Sequence, residues 1–230
     1  MRTTFARQLP SRRGLGSWWG KAWQRAVEEA AYSEAELRPG RAAARRGDVG
    51  GITLDAGSLL AAVRDGDDAW TVQVAVPMFE PQARQALIEA VAASSGRIAQ
   101  LLAGDLPHDL VEHAEESGAE LLPFGAELAT TCTCDHYLDP CRHGVAVLIQ
   151  AGWLVDADPL VLFALRGLSR EDLLAQVARI VSSGAPNREF GSTESRVVVG
   201  ELADDVDLAV EAALRARTML AAFDDERRLT

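Results

Sequence analysis

The chain has 230 residues, 48% of them hydrophobic and 25% charged, a balance that excludes an intrinsically disordered polymer. No apolar run approaches the roughly 20 residues that span a bilayer, and three cysteines cannot all pair with one another, so neither a membrane helix nor a disulfide framework is indicated. The net charge of −11 is split: residues 1–46 hold ten Lys or Arg against four Glu, which makes them +6 and leaves −17 for residues 47–230.

The opening "MRTTFARQLPSRRG" lacks the apolar centre of a signal peptide, so the expected location is the cytoplasm. Residues 1–16 read as a basic lead-in. Ser17 then caps a helix, "WWGKAWQRAVEEAAY", whose Trp19, Trp23, Val27 and Ala30 fall on one face and are expected in the core rather than stacked on bases. The Gly- and Pro-containing "LRPGRAAARRGDVG" reads as a solvated loop, with a polyanion contact as its functional alternative. From Gly51 to Phe79, alternating Ile52 and Leu54, then Leu60 to Val63, then "WTVQVAV" after the "RDGDD" turn predict a small antiparallel sheet.

Pro81 opens a predicted helix carrying Leu87, Ile88 and Val91. Ile98, Leu101 and Leu102 continue the pattern past a Ser-Ser-Gly break, and a short helix after Pro107 carries His108 and His113 as surface residues. Val145, Leu148 and Ile149 predict a helix that stops at Gly152; Asp158 and Pro159 start another, ended by Gly167. Ser169 and Asp172 form a capping box for a helix with Leu173, Leu174, Val177, Ile180 and Val181 on one face. The expected organisation is an amino-terminal α+β domain (17–118), a cysteine- and histidine-containing segment with its following helices (119–183), a turn-rich linker (184–200) and an amphipathic helix and tail (201–230). The fold class is α+β: an amino-terminal helix and small antiparallel sheet, a helical middle, a β-hairpin-plus-helix finger and a helical carboxy-terminal region.

All three cysteines and two of the four histidines fall within "TCTCDHYLDPCRHG", residues 131–144. If residues 130–134 are extended, the period of two puts Cys132 and Cys134 on one face. Residues two apart on a helix diverge, so Cys141 should precede a helix and His143 occupy its first turn. The intervening "DHYLDP" can fold the chain back as a hairpin or a bent loop. Cys132, Cys134, Cys141 and His143 then make a full tetrahedral donor set for one structural Zn²⁺, because a catalytic zinc keeps one position open. His136 is the competing nitrogen, disfavoured because three ligands on one short extended stretch would crowd. A Cys132–Cys134 disulfide would be strained, and a nucleophilic cysteine would leave two others unexplained.

These residues resemble the SWIM zinc finger, whose pattern is Cys-x-Cys, a variable gap, then Cys-x-His. The Pro-Asp-aromatic usual after its second cysteine appears here as Asp135, His136 and Tyr137. "WWGKAW", "RPGRAAARRGDV", "LLPF" and "DPLVLFALRG" are similar to segments of bacterial SWIM proteins often encoded beside helicase-like remodelling ATPases, so the resemblance covers roughly residues 17–180. It implies zinc on the four residues above and a class thought to bind DNA or proteins.

Catalysis is not expected. In "GLGSWWGKA", Leu15 stands where a phosphate loop needs its first Gly, and Ala22 replaces the Mg²⁺-binding hydroxyl; HExxH and GxSxG motifs are absent. The expected function is a zinc-binding accessory protein acting with a helicase-like ATPase in nucleic-acid transactions; the alternative is a protein–protein adaptor with a purely structural zinc. Three thiolates, one Zn²⁺, Asp135, Asp139 and Arg142 sum to −2, so the finger should bind DNA weakly. DNA or RNA would instead meet Arg12, Arg13, Lys21, Arg38, Arg41, Arg45 and Arg46, while the acidic carboxy-terminal helices dock the ATPase. No membrane and no small-molecule substrate are expected.

Overall fold

Two tight turns set the sheet. Gly57 (φ 75°) joins β2 (Val49–Asp55) to β3 (Ser58–Asp65), and Gly66 (φ 65°) joins β3 to β4 (Asp68–Ala75), each in a left-handed conformation that costs glycine nothing. The register pairs Asp55 with Ser58 and Asp65 with Asp68, so each hairpin turns on two residues. Alternation does the rest: Leu59, Ala61 and Val63 are buried while Leu60, Ala62 and Arg64 face out. The lead-in contributes a strand not expected from its sequence, β1 (Thr3–Phe5), antiparallel to β2.

The computed structural model describes residues 2–8, 14–31 and 33–184 of the chain. Arg12, Arg13, the linker expected beyond Gly184 and the final helix expected over 201–230 lie outside the described residues. Met1–Ala185 is one compact unit, and residues on both sides of position 118 share its sheet and core. After β4 the chain runs through α3 (Pro81–Ala92), α4 (Ser95–Leu102) and α5 (His108–Glu116), then returns as β5 (Ala129–Cys132). β5 pairs antiparallel with β4, Val72 opposite Cys132, so the sheet order is β1-β2-β3-β4-β5. The hairpin partner of the finger's strand is therefore β4, and between β5 and the next helix the chain is a bent loop.

At the amino-terminal end, α1 (Trp18–Ala30) starts where the Ser17 side chain accepts from the Gly20 N–H. Trp19 and Trp23 are buried as expected, their indole N–H groups donating to the Val155 and Leu148 carbonyls. The expected loop at residues 37–50 is instead largely helix: α2 spans Glu34–Arg46 and contains Pro39. Glycine there serves packing rather than flexibility, since a Cβ at Gly40 would lie 2.5 Å from Val145 Cγ1, where α2 crosses α6 (Arg142–Ala157). Acidic Glu34 and Glu36 in the first turn and Arg45 and Arg46 in the last suit the helix dipole, and Gly47 (φ 72°) closes it.

Nor does α6 stop at Gly152. A Cβ at that position would lie 2.8 Å from Trp23 Cδ1, so the glycine marks the close approach of α1 while the helix continues to Ala157. α6 is buried along most of its length and forms the axis against which the sheet, α1 and α2 pack. Asp158 accepts from the Leu160 N–H to begin α7 (Pro159–Leu165), and α8 (Arg170–Gly184) follows, with Ser169 Oγ accepting from the Asp172 N–H. Among the described residues no helix is long and apolar enough to cross a membrane.

Candidate metal centre

Three elements deliver the four donors. β5 ends at Cys132, the chain then bends at Cys134 rather than running extended to it, Cys141 is the N-cap of α6, and His143 sits in that helix's first turn. Their ligand atoms all lie within 4.8 Å of one another. Cys134 Sγ and Cys141 Sγ are 3.7 Å apart, and Cys132 Sγ is 3.6 Å from His143 Nδ1. A zinc tetrahedron with Zn–S near 2.3 Å and Zn–N near 2.0–2.1 Å has S···S edges of roughly 3.8 Å and S···N edges of roughly 3.6 Å, so the residues fit one zinc ion. With three sulfurs and one nitrogen filling the tetrahedron, the site is a closed, structural one.

Without a cation Cys132 and Cys141 stay protonated. Burial, reinforced by the neighbouring sulfurs, pushes the Cys132 thiol up to about 12 despite a backbone N–H from Cys134, and burial raises Cys141 as well. A divalent ion reverses that preference by stabilising thiolates directly.

Residues far away in sequence orient the ligands. His143 Nε2 is 3.1 Å from Asp65 Oδ2, so the ring donates there and turns Nδ1 toward the sulfurs. Asp65 is held in turn by Arg142 at 2.8 Å, and the Trp70 ring lies nearly parallel to the His143 ring with centroids 6.0 Å apart. The two-residue β3–β4 turn is what brings Asp65 to the metal-binding imidazole. On the other side, Glu36 of α2 accepts from the Arg142 N–H at 2.8 Å, placing a carboxylate at the α6 N-terminus. Its second oxygen lies 3.3 Å from His136 Nε2, while His136 Nδ1 accepts from the Leu138 N–H. Both nitrogens of His136 are thus engaged away from the sulfurs. Asp139 accepts from the Thr130 N–H and hydroxyl, and Gly144 lets α6 approach Thr130, so the bent loop is closed onto β5.

Residues 119–152 match the SWIM zinc finger. That match contains the four donors and the first two-thirds of α6. The chain is also 31% identical over 172 residues to the uncharacterized protein Rv2102 of Mycobacterium tuberculosis, an alignment covering 74% of this chain and 61% of that protein. No solved structure matches.

The basic residues proposed for polyanion contact are not gathered the same way. Arg12 and Arg13 lie outside the described residues, Lys21 is on α1, and Arg38, Arg41, Arg45 and Arg46 are on α2. Arg41 is bound by Glu28 with Glu34 at 4.0 Å, and Arg46 is held by Asp48 at 2.8 Å. Lys21, Arg38 and Arg45 are exposed and make no ion pair among the described residues. Sequence reasoning missed Asp65, Glu36 and Trp70 around the metal centre. A carboxylate 78 positions before its histidine leaves no local signal.

Proposed function

We propose that this chain is a non-enzymatic, zinc-stapled accessory protein that works with a helicase-like ATPase in nucleic-acid transactions in the cytoplasm. The closed donor set carries the reading: four protein ligands leave no coordination position for water or substrate, so the metal's role is to fix β5 to α6 and the protein acts through what it binds. The similarity to bacterial SWIM proteins encoded beside helicase-like ATPases supplies the partner class. Lys21, Arg38 and Arg45 are the cations uncommitted enough to meet phosphate, and the acidic charge of residues 47–230 keeps that engagement local.

The test is binding of short DNA or RNA as a function of salt, together with pull-down of an ATPase partner. The reading expects affinity that falls steeply with salt and drops in an Arg38→Ala/Arg45→Ala double variant. Two observations favour a second reading, an adaptor without direct nucleic-acid contact. Arg41 and Arg46 are neutralised by acids, and Asp65, Asp68 and Asp135 line the groove beside His143. A stable ATPase complex with no nucleic-acid binding at about 50 mM salt would decide for the adaptor.

A further inference from the structure

Helices α1, α2 and α6 leave between them an open cleft of about 450 Å³. Its floor is apolar, built from Val27, Leu37 and Ile149 with the buried Trp23 indole against Gly152. Its walls carry a different chemistry. Arg41 and Arg45 come from consecutive turns of α2, and Trp153, half-buried, comes from α6 one residue past Gly152.

The two arginines are not equivalent. Glu28, itself lining the cleft, engages the Arg41 guanidinium, whereas Arg45 is exposed and has no acidic partner among the described residues. A partly exposed indole and an uncommitted guanidinium on one concave surface suit a flat aromatic ring joined to an anion, because the ring stacks on the indole and the guanidinium pairs with the charge. A duplex hides its base faces within its own stack. An unpaired base offers one face to the indole and carries a phosphate on either side.

We propose that this cleft receives an unpaired base of single-stranded DNA or RNA, stacked on Trp153, with an adjacent phosphate on Arg45. This rests on the nucleic-acid reading above and gives it a site and a strand class. Glu28 opposes the ligand, since its carboxylate occupies Arg41 and repels phosphate. The chain therefore engages nucleic acid on the α1–α2 side of α6, and the finger's role in that engagement is to hold α6 in place.

The experiment is fluorescence anisotropy of a labelled thymidylate strand of roughly 15 nucleotides with the zinc-loaded full chain, from about 50 to about 200 mM salt. A duplex of the same length and thymidine monophosphate serve as competitors. The strand should bind and outcompete both. Trp153→Ala should weaken it about tenfold while Trp153→Phe, which keeps a stacking face, binds nearly as the parent does. Arg45→Ala should weaken binding and reduce the log–log salt slope by about 0.7. Glu28→Gln should tighten binding, an effect that a merely structural role for Glu28 would not produce. Arg45→Ala and Glu28→Gln change surface groups, so they test the site even if Trp153→Ala fails to fold. Strand binding unaffected by Trp153→Ala, Arg45→Ala and Glu28→Gln would overturn the cleft and leave the nucleic-acid reading standing. Competition by the duplex or the mononucleotide as strong as by the strand itself would overturn the strand class. Absence of strand binding at about 50 mM salt would sink both the cleft and the reading beneath it.

Discussion

The finger and the α1–α2 corner pack against the same helix by opposite means. Between β5 and α6 the finger is mostly exposed, with Tyr137 90% exposed, so four donor atoms and one ion must do what apolar burial cannot. At the corner, Trp19, Trp23, Ala43 and Ala44 are buried, and Gly40 and Gly152 let backbones meet closely. One region is held by coordination chemistry and the other by shape, so the two should fail under different insults.

Metal removal should separate them most. Zinc in finger peptides is worth roughly 10–16 kcal/mol, comparable with the ~5–15 kcal/mol that holds a whole domain. Chelation, or Cys141→Ser, is expected to lower the melting temperature by about 10 °C or more, read by circular dichroism. Hydrogen exchange should rise first in β5 and the start of α6, with α1 and α2 retaining protection longer; simultaneous loss everywhere would erase the distinction.

The converse probe is Gly40→Ala. The new methyl would press on Val145 and the Arg142 carbonyl, an overpacking expected to cost about 1–3 kcal/mol in urea unfolding while zinc content stays stoichiometric. Asp65→Asn sharpens the finger side: without a carboxylate on Nε2 of His143, zinc affinity should fall about 10–100-fold against a competing chelator, leaving the corner intact. The smallest effect is electrostatic. Burial alone would raise the pKa of Asp48, but hydrogen bonds from Arg64 and Arg46 outweigh it and hold the carboxyl below its ordinary value. Its contribution is therefore full above about pH 4 and is lost as pH falls through the lower folded-state value. Because the arginines are mostly exposed, Asp48→Asn should remove less than about 1 kcal/mol, and its urea stability should be flatter than the parent's across that window.

Ligand chemistry is local, which is why the donors could be read from spacing: Cys-x-Cys where a strand runs into a bend and Cys-x-His at a helix start each satisfy geometry within three residues. Strands β2 to β4, the Ser17 cap and the core tryptophans were legible for the same reason, while β1 was not. Gly40 and Gly152 misled because their roles are set by partners far along the chain: Gly40 meets Val145, and Gly152 meets Trp23. The β4–β5 pairing escaped notice because four residues of strand carry too little pattern to reveal a neighbour 60 positions away. Trp153 was passed over for a related reason, lying just beyond a glycine taken as a stop, whereas Arg45 was named as a phosphate contact although its stretch was taken as a loop.

β5 is the outermost strand on its side of the sheet, and it is also the arm that ends in a metal-binding sulfur. A starved chain that lets this arm go would uncover the amide row of β4, a template for pairing with other molecules. Zinc scarcity should thus show itself as concentration-dependent clumping, with the ion acting as guardian of a sticky margin.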